Sequence, residues 1–382
     1  MALKGIKVLE IAGLAPAPFC GMLLSDFGAN VIRVDRTKGM DVDRLARGKR
    51  SISVNLKDVK GQEIVRKLAS TSDVLIEPFR PGVMEKLNLG PDKLLSSNPK
   101  LVYARLSGYG QTGAYALKSG HDINYVAMSG LLSKIGRKNE KPHSPLNLVA
   151  DFAGGGLLCA YGIVMCLLER QQSGKGQVVD MSMTEGAGYV GSFIFNGKDL
   201  PFWGKPRGEN WLDGGAHFYD TYETKDGKYM AVGSIEPQFY QQLMQGLEMT
   251  SEDTYIEQFS DFEEGKKKIA KKFSERTQAE WSSIFDKLDA CVTPVLDIDE
   301  APEQEPNVSR KSFTKSSTTG NWEPEPAPKL SRTPGQTALV KRCPGIGEHT
   351  VEILNEIGYN SGSIKELIAS EIVTAPEAKS KL

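Results

Sequence analysis

Short apolar runs and amphipathic stretches alternate along the first hundred residues. Ile6 to Ala12 reads as a strand, Pro16 to Phe27 as a helix and Asn30 to Val34 as a second strand. A helix around Gly61 to Ala69, a strand at Asp73 to Ile76, a helix near Val83 to Leu87 and a strand at Leu101 to Leu106 continue the rhythm. Strand, crossover and strand repeated in this way predict a mainly parallel sheet with helices on both faces and right-handed connections. From Gly154 to Arg170 a start rich in glycine and alanine becomes a long apolar helix, and Gly174-Lys175-Gly176-Gln177 then turns into the strand Val178 to Met183.

The pattern changes further on. Tyr219 to Tyr222 and Tyr229 to Val232 flank Lys225-Asp226-Gly227-Lys228, a hairpin signal, and helical segments follow at Gln238 to Gly246 and Phe262 to Ala290. Pro302 to Pro334 is polar and proline-rich, and Gly347 to Ile357 reads as a last helix. The expected fold class is α/β. A large doubly wound parallel-sheet domain begins with residues 1–197 and a smaller α+β domain occupies 216–302. A linker spans 303–334, and 335–382 returns to the large domain and ends in a tail.

A chain of 382 residues exceeds the usual single core, which agrees with two domains. Its 47 basic and 48 acidic residues nearly cancel, which argues against a nucleic-acid partner and leaves any anionic ligand to a local cluster. Arg36, Arg44, Arg47, Lys49 and Arg50 form such a cluster, with Arg80 and Arg105 at later strand ends, where parallel sheets bind ligands. That excess suits several phosphates. The five cysteines have no CxxC spacing, so neither a disulfide framework nor a zinc site is expected.

No apolar run approaches the length of a membrane span, and the N-terminal apolar segment reads as a strand rather than a removable signal. The terminal Ser380-Lys381-Leu382 is the tripeptide read by the peroxisomal import receptor. The first turn, Gly13-Leu14-Ala15-Pro16-Ala17-Pro18, lacks the glycines of a dinucleotide fingerprint, so no nicotinamide or flavin cofactor is expected.

Candidate chemistry centres on two motifs. His121, in Gly120-His121-Asp122-Ile123-Asn124-Tyr125, offers a base near neutral pH on a polar turn. Asp151, in Asp151-Phe152-Ala153-Gly154-Gly155-Gly156, reads as the cap of a glycine-rich helix whose bare amides face a developing oxyanion. Glu236, just before Pro237, suits a helix start and also a carboxylate partner for a histidine.

These motifs, together with Val34-Asp35-Arg36, Phe79-Arg80-Pro81-Gly82-Val83, Leu106-Ser107-Gly108-Tyr109-Gly110 and Asp289-Ala290-Cys291-Val292-Thr293-Pro294-Val295, resemble the family III CoA-transferase superfamily over nearly the whole chain. Within that superfamily they are similar to its 2-methylacyl-CoA racemases. The resemblance implies that His121 and Asp151 are the proton-transfer groups, with Glu236 next to the histidine. It places CoA along Arg36, Asn55, Leu56, Lys57, Asp58, Arg80, Gly120, Asp122, Ile123, Asn124 and Tyr125. It also implies an interlocked homodimer, no cofactor beyond the CoA of the substrate, and a role in β-oxidation of branched acyl chains and bile-acid intermediates. Residence is expected in the peroxisome, with a mitochondrial share left open.

Two alternatives stand beside this reading: a CoA transferase with Asp151 as nucleophile, and a noncatalytic acyl-CoA binder. Pro78 departs from many transferases, which carry asparagine there, and Glu303 to Thr333 follows no pattern of the family.

Overall fold

The apolar and polar alternation of the first hundred residues becomes a parallel sheet in the structure, a computed structural model describing residues 1–38, 43–316, 319–337 and 343–376. In chain order the elements are β1 (Lys7–Ile11), α1 (Pro16–Asp26), β2 (Asn30–Asp35), β3 (Arg50–Val54), α2 (Val59–Ala69), β4 (Val74–Glu77), α3 (Val83–Lys86), α4 (Pro91–Ser97), β5 (Val102–Ser107) and α5 (Asp122–Met128). A π-helical segment, Leu148–Leu157, runs into α6 (Leu158–Ser173), followed by β6 (Val178–Ser182) and α7 (Met183–Val190). Next come α8 (Ser192–Asn196), β7 (Tyr219–Glu223), β8 (Tyr229–Gly233), α9 (Pro237–Gly246), α10 (Phe262–Phe273), α11 (Gln278–Phe285) and β9 (Val292–Pro294). The chain closes with α12 (Glu305–Arg310), β10 (Phe313–Lys315), β11 (Trp322–Pro324), α13 (Thr350–Glu356), α14 (Ser361–Ala369) and β12 (Val373–Thr374).

Two units result. The large one comprises Met1–Ser129, Leu146–Val190 and Glu305–Leu382, and the small one Gly130–Pro145 and Gly191–Gln304. These bounds differ from the expected spans, since residues 130–145 leave the large domain and the small one begins at Gly191. The expected linker is structured. It carries α12 and the β10–β11 hairpin, and the Pro324 carbonyl accepts from Arg47 at 3.0 Å.

The large sheet runs β12-β3-β2-β1-β4-β5-β6, parallel except for the antiparallel edge strand β12. Setting β12 aside, this is the doubly wound order with its switch point between β1 and β4. There the turn after β1 closes on the end of β4, and a Cβ at Gly13 would lie 2.6 Å from Pro78 Cγ. On one side of the sheet Leu9, Ile11, Ile52, Ile64 and Leu75 are buried with Ile353, Leu354 and Ile364 of the returning chain.

The glycines at 154–156 have packing roles. A Cβ on Gly154 would stand 2.5 Å from the Ala187 nitrogen of α7, and one on Gly156 2.7 Å from the Pro16 carbonyl of α1. Leu148–Ser173 is one continuous helix of 26 residues, long and apolar enough to cross a membrane by length and composition. This corrects the expectation that no run reaches that length, because the helix begins at Leu148 and not at Gly154. It is packed between α1 and α7 within the large unit.

In the small unit β7, β8 and β9 form an antiparallel sheet, with the predicted hairpin turning at Gly227, whose φ is 74°. Its core gathers Tyr222, Met230, Tyr240, Phe273, Trp281 and Phe285. His217 is fully buried there, its Nε2 2.9 Å from the Tyr240 hydroxyl. Burial, and then Lys266, push its pKa from 6.5 down to about 4. Between those values the unfolded chain binds a proton that the folded unit refuses, so stability falls as pH drops through this window. The expected loss is about 3 kcal/mol. Unfolding midpoints of His217→Gln should depend less on pH than the parent's from pH 6.5 to 4; identical slopes would remove His217 as the cause.

Candidate active site

The turn that carries His121 is shaped by one aromatic ring. Tyr125 packs where side chains at Gly108 and Gly120 would stand, 2.2 and 2.7 Å from their absent Cβ atoms, and its hydroxyl donates to the Gly120 carbonyl. Tyr109 meets the ring edge-on at a centroid distance of 5.1 Å. Burial, then Tyr109 and Asp151, push the Tyr125 phenol up to about 12, so it remains a protonated donor. On this frame His121 occupies the cap position of α5, exposed, with its backbone N–H donating to Asn124 Oδ1 at 3.1 Å.

Asp151 sits inside the π-helical segment and caps nothing. The acid at the helix start is Asp122, whose Oδ2 accepts the backbone N–H groups of Ala150 and Asp151, each at 2.8 Å. Asp122 was expected against CoA, yet its side chain is buried beneath the turn. Gly154, Gly155 and Gly156 are buried within the helix, so their amides do not form the open oxyanion site expected of a helix start. Asp151 itself is half-buried and accepts a long bond from Asn147 Nδ2 at 3.4 Å. Burial raises its pKa above the ordinary 3.8, Asn147 opposes the rise, Asp122 adds to it, and His121, within electrostatic reach, lowers it. Asn147 went unnoticed in the sequence; its only signal is an amide four residues before an acid on one helical face.

The expected CoA residues divide into groups. Arg36, Asn55, Leu56 and Lys57 line a cavity of about 850 Å³ at the carboxyl ends of β2 and β3, together with Lys38, Phe79 and Lys86. Asp58 instead caps α2, its Oδ1 accepting from the Lys60 N–H at 2.8 Å. Arg80, next to Phe79, donates to the Leu117 carbonyl at 3.1 Å and so ties the cavity rim to the loop leading to His121. Gly120, Ile123, Asn124 and Tyr125 belong to that second feature, and Ile123 and Asn124 are exposed on it.

Much of the expected basic cluster serves the fold. Arg47 pairs with Asp26 at 2.6 Å, Arg50 with Glu352 at 2.7 Å, and Arg105 with Glu77 and Glu85, both at 2.7 Å. Lys49 is fully buried against Glu10 at 2.8 Å. Glu236 belongs to the small unit, exposed at the cap of α9. Among the described residues, no group of three or more His, Cys, Asp and Glu side chains is arranged to hold a metal.

The doubly wound sheet thus carries a basic cavity at its carboxyl edge, with a histidine and an aspartate joined through the start of one helix. Residues 3–350 match CoA-transferase family III, and the chain belongs to that family. It is 53% identical over 385 residues to the α-methylacyl-CoA racemase of Mus musculus and 53% identical over 384 residues to that of Homo sapiens, covering 100% of each chain in both comparisons. Its fold is similar to that of a CaiB/BaiF family protein from Brucella suis, with a TM-score of 0.78 at 24% identity, covering 93% of this chain and 99% of the other.

Proposed function

We propose that the protein interconverts the (R) and (S) epimers of 2-methylacyl-CoA thioesters, an isomerase reaction supporting β-oxidation of branched fatty acids and bile-acid intermediates. The observation that carries this reading is a histidine within electrostatic reach of a carboxylate of raised proton affinity, in a chain 53% identical along its full length to racemases. The α-hydrogen of a thioester is weakly acidic, so inversion needs a base on one face and an acid on the other. His121 removes the proton of the (S) epimer and Asp151 that of the (R) epimer, and each returns a proton to the enolate from its own side. Raising the Asp151 pKa brings it nearer the operating pH, where one group serves well as both acid and base.

The cavity lined by Arg36 and Lys57 receives the phosphates of CoA, and the scheme uses no metal or further cofactor. The partner is a second copy of the chain. Tyr161, Val164, Met165 and Leu168 of α6 are exposed in one i, i+3, i+4, i+7 stripe, which supports a covered face. Residence is the peroxisome, through Ser380-Lys381-Leu382, which lies outside the described residues, with a share in the mitochondrion.

The test incubates the protein with one epimer of a 2-methylacyl-CoA in deuterated water and follows α-deuterium and epimer ratio together. Both should change in step. Retention of the α-hydrogen overturns the reading, in favour of a transferase if acyl groups pass to an added carboxylic acid and of a binding protein if they do not.

A further inference from the structure

Two groups that work on opposite faces of one carbon must keep a fixed separation, and an error of about 1 Å can cost on the order of 10²-fold in rate. His121 and Asp151 lie 30 positions apart on different helical segments. The Asp122 side chain connects those segments. Asp122 directly follows His121, and its Oδ2 holds the N–H groups of both Ala150 and Asp151 at 2.8 Å.

We infer that Asp122 is a positioning residue, whose carboxylate ties the backbone at Asp151 to the first turn of α5 and thereby sets the spacing of the two proton-transfer groups. The inference rests on the racemase reading above. Three features separate it from an ordinary helix cap. The carboxylate is buried, only 3% exposed, so its bonds to the two amides are charge-assisted and shielded from competing water. Its Oδ1 is also buried and has no hydrogen-bond partner among the described residues. A buried charge with one oxygen unpartnered is costly, and a cap chosen for stability alone is better served by a neutral group or an exposed acid. The third feature is electrostatic: Asp122 lies close enough to raise the proton affinity of Asp151, adding to the larger effect of burial.

The test compares Asp122→Ala and Asp122→Asn in the full-length protein, starting from the (S) epimer in deuterated water. The alanine variant should invert about 10²-fold more slowly. It should still take up α-deuterium with retention, because His121 removes and returns the proton unaided. The ratio of exchange to inversion then rises at least about tenfold, with KM nearly unchanged. Asparagine keeps one acceptor oxygen but a weaker one, and should raise that ratio about threefold.

Backbone hydrogen exchange across residues 148–157 should quicken in both variants, more in alanine. A proportional loss of exchange and inversion, an unchanged ratio, or unchanged protection of that segment each overturns the assignment. If the alanine variant does not fold, the asparagine variant decides by the same criteria. Failure of the parent protein to exchange or invert would remove the racemase reading instead, and segment protection would still report whether Asp122 holds the helix start.

Discussion

His121→Ala should halt epimerisation, lowering kcat by about 10³-fold, within the range that a positioned general base contributes. CoA itself should bind nearly as before, because His121 stands at the start of α5 and is not among the residues lining the Arg36–Lys57 cavity. The variant should also be lopsided. Asp151 can still exchange the α-proton of the (R) epimer with solvent, so deuterium uptake by that epimer survives while inversion does not. Asp151→Asn should give the mirror result, with exchange confined to the (S) epimer. Epimer-resolved deuterium analysis reads both variants. Equal loss of exchange from the two epimers in His121→Ala would mean that the histidine does not serve one face alone.

The largest effect on stability is expected from Lys49→Met. Lys49 Nζ donates to both oxygens of Glu10, at 2.9 and 2.8 Å, and to the Pro18 carbonyl at 2.8 Å, so its three protons are all used. Both side chains are fully buried, and Gly21 leaves room for the carboxylate, since a Cβ there would sit 1.7 Å from Glu10 Oε2. Burial already pushes the Glu10 pKa up to about 7 against the opposing pull of Lys49. Removing the cation strands the acid, at a cost of about 3–5 kcal/mol.

Without Lys49, the Glu10 pKa rises further. The folded state then binds a proton that the unfolded chain releases above about 4.5, so the variant should be relatively more stable toward acidic pH. Denaturant unfolding should show this, and Glu10→Leu combined with Lys49→Met should recover most of the loss. A single variant as stable as the parent at neutral pH would mean that the pair contributes little.

Lys49 also shows what the sequence concealed. Its partner Glu10 lies 39 positions away on β1, so beside Arg47 and Arg50 it looks like one more ligand-binding cation. Strand β3 escaped notice for a related reason. Ser51 and Ser53 interrupt its apolar pattern, yet both are buried, with Ser51 Oγ donating to Asp35 Oδ2 and Ser53 Oγ accepting from Thr374 Oγ1 across 321 positions. Serine is cheap to bury only when such partners arrive, and local pattern cannot announce them. Strands β1, β2 and β5, each with apolar residues on both sides of one interior charge (Glu10, Arg33 and Arg105), were legible to within one or two positions. His121 and Asp151 were legible as chemical types and through the family motifs. Their coupling was not, because it runs through a bond from Asp151 to Asp122 over 29 positions.

The late return of the chain to the large sheet has a consequence for synthesis. Ile353, Leu354, Ile364 and Val373 complete a hydrophobic cluster begun by Leu9 and Ile11, and β12 covers the edge of β3. A ribosome makes the entire small unit before it makes these residues. During that interval the nascent first segment carries an open sheet edge and an uncovered apolar face, the conditions under which chains associate wrongly. Closure then depends on contacts of very high sequence separation, which makes assembly of the large unit slow and leaves that face uncovered until the last of these residues has emerged.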